Sequence, residues 1–79
     1  MIHRATVPVN DEYSIAVVTE RMSDDRWAVV ASVTHRSPNG EKVTDLPVHD
    51  TRFASQPEAE AAGVQQGRDW IDRNMPRAA

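Results

Sequence analysis

One stretch of this chain, Ser55 to Met75, has a helical period, and everything before it has the alternation and turn punctuation of β-strands. A chain of 79 residues with a single helix has few ways to build a core, because that helix must lie on a sheet. At about 100° per residue, Ala59, Gly63, Val64, Gly67, Trp70 and Ile71 share one face. Ala61, Gln65, Arg68, Asp69 and Asp72 share the other. Gly63 and Gly67 each cost a helix about 1 kcal/mol relative to Ala. Their position four residues apart on the apolar face predicts that the helix axis lies close to the layer it covers. Trp70 and Ile71 supply most of the bulk, roughly 1.5–3 kcal/mol each when fully buried.

The start of this helix is marked by Ser55 and Glu58 at the spacing of a capping box, with Pro57 in the first turn, where a missing N–H does no harm. Glu58 and Glu60 complement the positive end of the helix dipole. Asp69 and Arg73 are expected to form an exposed i,i+4 pair. Residues 1–75 are expected to make a single domain, and residues 76–79 a frayed tail.

Upstream, Tyr13 to Met22 and Arg26 to His35 are rich in β-branched residues. Ser23-Asp24-Asp25 between them suits a three-residue hairpin loop with Asp25 in the left-handed conformation. That loop pairs Thr19 with Val29, Val17 with Ala31 and Ile15 with Val33, all on the face of Trp27. Ser37-Pro38-Asn39-Gly40 is the strongest turn signal in the chain and leads into a strand from Lys42 to His49. A four-residue turn there sets Thr44 against Val33, Leu46 against Ala31 and Val48 against Val29. Two independent turns thus bring the large apolar residues to one side. A first strand, Ile2 to Val9, follows from a loop at Asn10-Asp11-Glu12 that places Ala5, Val7 and Val9 beside Val17, Ile15 and Tyr13. Pro8 and Pro47 mark edge strands. The expected fold class is α+β: a four-stranded antiparallel meander, order 1-2-3-4, with one C-terminal helix packed on one face. Phe53 is expected to plug the core beside the helix start, and Trp27 and Trp70 to meet on the covered side.

The opposite face then carries Ala16, Val18, Ala28, Val30 and Val43, ringed by Ser14, Glu20, Ser32, Thr34 and Asp45. A solvated sheet face is ordinarily more polar, so these five residues are the candidate interface, for a second copy or for another protein. Self-association is also favoured by a core of small residues, with an apolar fraction of 39% and only one Phe, one Tyr and one Leu. The absence of cysteine removes disulfides and Cys-based zinc sites. No apolar run is long enough for a signal peptide or a membrane span, so a cytoplasmic location is expected. A formal net charge of −3 argues against general nucleic-acid binding.

The residues that could carry chemistry are few. His3, His35 and His49 are the only imidazoles; the register puts His35 and His49 on opposite faces, whereas a zinc site needs three or four converging ligands. Asp24 and Asp25 are adjacent turn formers. Ser37 and Ser55 are accounted for by a turn and a cap, so no nucleophile with a base and an orienting acid emerges. Gly40, Gly63 and Gly67 belong to a turn and to helix packing, not to a phosphate loop. No catalytic residue, metal or cofactor is expected, and no enzymatic activity. Eight arginines stand against one lysine, and Arg suits bidentate phosphate contacts. Arg21, Arg26, Arg36 and Arg52, near strand ends or loops, are candidate phosphate contacts, with solvated surface charge as the simpler explanation.

The run Phe53-x-Ser55-x-x-Glu58-Ala59-x-x-x-Gly63, ending Arg68-x-Trp70-Ile71-Asp72, resembles a small family of uncharacterised bacterial single-domain proteins. The likeness extends to the Trp27 strand. It implies a β-meander closed by a helix, and a bacterial source, but no activity. A weaker resemblance is to HicB-type antitoxin domains, through Asp45-Leu46-Pro47 and Ser55-x-x-Glu58-Ala59. The chain departs from that pattern in lacking a Gly after Pro47, in its Ser37–Gly40 hairpin and in having no DNA-binding tail. Two functions follow as expectations. The first is a small non-enzymatic protein-interaction module, a homodimer through the outer sheet face; the alternative is a HicB-like antitoxin or nucleic-acid-associated regulator using the Arg-bearing loops.

Overall fold

The computed structural model describes residues 1–48 and 50–74. Four antiparallel strands, β1 (Ile2–Pro8), β2 (Tyr13–Arg21), β3 (Trp27–Ser37) and β4 (Gly40–Asp45), form one sheet in the order β1-β2-β3-β4. One helix, α1 (Gln56–Asn74), lies over β2 and β3. This is the expected α+β meander. The tail expected at residues 76–79 and His49 lie outside the described residues.

Local chemistry sets the register. Asn10 Oδ1 accepts from the N–H groups of Glu12 (2.8 Å) and Tyr13 (2.9 Å), closing the first turn and pairing Ala5 with Val17 and Val7 with Ile15. Asp25 takes the left-handed conformation at φ 65°, and Met22 N–H donates to Arg26 C=O at 2.7 Å. The three-residue loop therefore sets Thr19 opposite Val29 and Val17 opposite Ala31, as expected. At the last turn Ser37 pairs with Gly40, which sits at φ 127°, and Val33 meets Thr44.

The side facing α1 holds the core: Ile15, Val17, Val29, Ala31, Val33, Tyr13 and Leu46 from the sheet side, Ala59 and Ile71 from the helix. The two helix glycines determine how close the layers come. A Cβ built on Gly63 would stand 2.8 Å from both Val17 Cγ1 and Val29 Cγ2, and one on Gly67 2.7 Å from Ile15 Cγ2. Gln56 Nε2 donates to the buried Thr19 hydroxyl at 3.1 Å. From Gln56 over Thr19, through Gly63 over Val17, to Gly67 over Ile15, the helix runs along β2 toward Tyr13. Ser55 Oγ caps its start by accepting from Glu58 N–H at 3.3 Å.

Three expectations need correction. The fourth strand ends at Asp45 and does not reach His49. Leu46 N–H still bonds Ala31 C=O at 3.0 Å, but Pro47 turns its carbonyl to Gln66 Nε2 at 2.7 Å. Val48 is therefore left 64% exposed, not set beside Val29. Farther along β3, the edge of Trp27 is taken by Phe53, bonded in both directions at 2.8 and 2.9 Å. The two indoles share the covered layer but do not meet. Trp27 belongs to the Phe53 and helix-start end, where it packs on His3 with ring centroids 5.5 Å apart. Trp70 lies fourteen residues beyond Gln56, about 21 Å along a helix rising 1.5 Å per residue. Finally, Asp69 does not pair with Arg73: its carboxylate accepts from Gln65 Nε2 (2.9 Å), and Arg73 Nε donates to the Asp69 backbone carbonyl (3.3 Å).

Candidate functional site

Because directly opposed residues of an antiparallel pair point to the same face, the register maps the outer side of the sheet row by row. Ile2, Glu20 and Ala28 form one row; Arg4, Val18 and Val30 the next. Thr6, Ala16, Ser32 and Asp45 form the third, and Pro8, Ser14, Thr34 and Val43 the fourth. Arg36 and Glu41 close the far end with a 3.3 Å ion pair.

All five candidate interface residues lie on this face. Val18 and Val30 are directly opposed at its centre, with Ala16 and Ala28 next to them along their strands. Val30 is 44% exposed, and Ala16, Val18 and Ala28 are half-buried by their strand neighbours. Val43, 59% exposed, stands apart, because Ser32 and Asp45 come between it and the Val18–Val30 row. A sixth apolar residue belongs here that composition did not single out. Ile2 is 53% exposed and lies diagonal to Val18; the pairing of Ala5 with Val17 already implied its place.

The four candidate phosphate contacts do not converge. Arg21 and Arg26 flank the β2–β3 loop, and Arg52 precedes Phe53 at the same end of the sheet, whereas Arg36 lies near the opposite end of β3. Arg21 is held by Asp25 at 2.6 Å, Arg36 by Glu41. His3 rests on Trp27, and His35 stacks on Tyr13 with centroids 4.4 Å apart and planes 9° from parallel. His35 Nε2 also lies 3.6 Å from Glu12 Oε2. Arg36 N–H donates to Glu12 C=O at 2.7 Å, which draws the β1–β2 loop onto β3. Beside that bond is a shallow cleft of about 250 Å³ lined by Asn10, Asp11, Glu12, Ser14, Thr34 and Arg36, among others. Its charges are of both signs and face solvent. Among the described residues no group of three or more His, Asp or Glu side chains is placed to hold a metal, and no helix is long and apolar enough to cross a membrane.

No curated protein and no solved structure matches the chain. A family model described as Domain of unknown function (DUF6566) matches residues 3–79. The HicB-type resemblance has no counterpart in that match. The chain belongs to the DUF6566 family, a family of small domains of unknown function.

Proposed function

We propose that this member of the family is a small interaction module without catalytic machinery, that its working surface is the outer face of the sheet, and that the occupant of that face is a second copy of the chain. One observation carries the reading: among the described residues the sheet is covered on one side only, and the centre of its other side is apolar, with Val18 and Val30 directly opposed and Val30 open to solvent. Charge lies around this centre and has both signs, with Arg4 and Asp45 at the ends of their rows, Glu20 in the middle of the terminal row, between Ile2 and Ala28, and Arg36 tied to Glu41. A two-fold axis running along the strands between β2 and β3 would lay Val18 of each copy over Val30 of the other and oppose no like charges along the central rows. Four strands about 4.8 Å apart and some seven residues long span on the order of 400 Å² in projection. That is about half of what a stable interface takes from each partner, ~800 Å², so association through this face alone is weak. The nucleic-acid reading has less behind it, since Asp24, Asp25 and Glu41 stand among the arginines that it needs.

Sedimentation equilibrium between micromolar and millimolar concentration is the test. The wild-type mass rises with concentration, and Val18→Glu and Val30→Glu each reduce the rise while leaving circular dichroism and melting unchanged. Association untouched by either substitution would reject the face.

A further inference from the structure

The two edges of the sheet are not alike. Val9 N–H donates to Tyr13 C=O and Arg21 N–H to Met1 C=O, both at 3.0 Å. These bonds commit the odd-numbered residues of β1 to β2, because hydrogen-bonded pairs recur every second residue. The N–H and C=O groups of Ile2, Arg4 and Thr6, and the C=O of Pro8, therefore point out along the free edge. Among the described residues β2 is the one strand beside β1, and β1 carries half-exposed Ala5 and Val7 on the helix side.

We infer that β1 pairs antiparallel with β1 of a second copy, with Ala5 opposite Ala5 across a two-fold axis. Only this register uses the whole of Ile2–Pro8. It exchanges main-chain hydrogen bonds between Arg4 and Thr6, each way and twice by symmetry, and gives the Ile2 N–H the Pro8 carbonyl. Pro8, which has no N–H to give, falls at the last rung, where the loss is smallest. Arg4 faces Thr6 on the outer side and His3 faces Val7 on the helix side, so no like charges are directly opposed. A register shifted one step toward Ile2 would set Arg4 against Arg4, which is unfavourable, and one shifted toward Pro8 would carry Ile2 past the end of the partner strand.

The other edge lacks this self-complementarity. The bond from Leu46 N–H to Ala31 C=O turns the main chain of Glu41, Val43 and Asp45 outward on β4. The symmetric register centred on Val43 sets Glu41 against Asp45 twice over. Opposed acids at both ends of a six-residue strand protect that edge in the way natural sheets do.

Edge pairing also bears on the face. The two-fold axis of an antiparallel edge pair runs perpendicular to the sheet, so both outer faces emerge on the same side. The continuous eight-stranded face spans about twice the projected area, close to ~800 Å². This inference rests on a different surface from the proposed function, and the two fail separately.

The test uses the absence of cysteine in the chain. In the inferred register Ala5 of each copy forms a non-hydrogen-bonded pair with Cα atoms about 4.5 Å apart, within the ~4.4–6.8 Å that a disulfide spans. Ala5→Cys is expected to give mainly disulfide-linked dimer under mild oxidation at low micromolar concentration. Val7→Cys, whose two copies would lie about 13 Å apart along the strands, is expected to stay monomeric. Thr6→Pro removes only an outward N–H; it should keep the wild-type circular dichroism and lower the sedimenting mass. Ala5→Cys that crosslinks no better than Val7→Cys would overturn the inference, whatever the oligomeric state. Association that survives Thr6→Pro but not Val30→Glu leaves the face reading standing and removes the edge; the reverse result does the opposite.

Discussion

Replacing Gly67 by Ala is the sharpest test of how the two layers meet. On an exposed helix the change stabilises by about 1 kcal/mol. Here the added Cβ would lie 2.7, 2.9 and 2.9 Å from Cγ2, Cδ1 and Cγ1 of Ile15, where carbon atoms in good contact stand about 3.5–4.0 Å apart. Ile15 cannot yield cheaply. It is fully buried, its branched Cβ holds χ1 in one well, and Val17 and Val33 are its core neighbours. The helix must instead lift by most of an ångström, which loosens its packing along β2 and β3. Overpacking of this kind costs about 1–3 kcal/mol, and three close contacts to one immobile side chain place it in the upper part of that range. Subtracting the propensity gain leaves a net loss of about 1–2 kcal/mol. For a domain of this size each kcal/mol shifts the midpoint by about 4–8 °C. Thermal unfolding followed by far-ultraviolet circular dichroism should show a lower Tm for Gly67→Ala, and a lower Tm also for Ala61→Gly on the exposed face. A Gly67→Ala protein that melts higher than wild type would refute the close approach of helix to sheet.

Gly40→Ala should also destabilise, by about 1–3 kcal/mol in chemical denaturation, but for backbone reasons. Its φ is 127° and nothing lies within 4 Å of the added methyl, so a stability equal to wild type would contradict the turn. Asp25→Val places a β-branched residue at φ 65° and should lose about 1–2 kcal/mol, whereas Asp25→Gly should stay near wild type in the same assay. Gln56→Ala leaves the buried Thr19 hydroxyl without its donor and should cost about 1 kcal/mol, while Thr19→Val, which removes the need for one, should be close to neutral. Equal losses from both would mean that the Gln56–Thr19 bond is not what holds the helix start.

The register was legible because two turns state it in their own chemistry. Asp25 accepts a positive φ, Ser37-Pro38-Asn39-Gly40 closes tightly, and each independently places Val29, Ala31 and Val33 on the helix side. Helix periodicity likewise separated buried Ala59, Gly63, Gly67 and Ile71 from the exposed face. What was not legible depended on distant partners. β4 ends where Pro47 hands its carbonyl to Gln66, nineteen residues on, and Phe53 then fills the edge of Trp27; no local signal foretells either contact. Period assigns a residue to a face but not to a position along the axis, which is why Trp27 and Trp70 share a layer and yet sit at its two ends. For the outer face, residue type alone gathered Val43 with Val18 and Val30, whereas row-by-row pairing separates it from them and brings in Ile2.

Dilution of isotopically labelled protein, followed by amide chemical shifts residue by residue, tests most directly whether the outer face is a contact surface. Concentration-dependent shifts are predicted to concentrate at Ala16, Val18, Ala28 and Val30, with a second set along Ile2 to Pro8 from edge pairing, and Arg68, Asp69 and Asp72 on the solvent side of the helix unmoved. Spectra that stay identical up to millimolar protein, or shifts confined to the helix, would contradict the account.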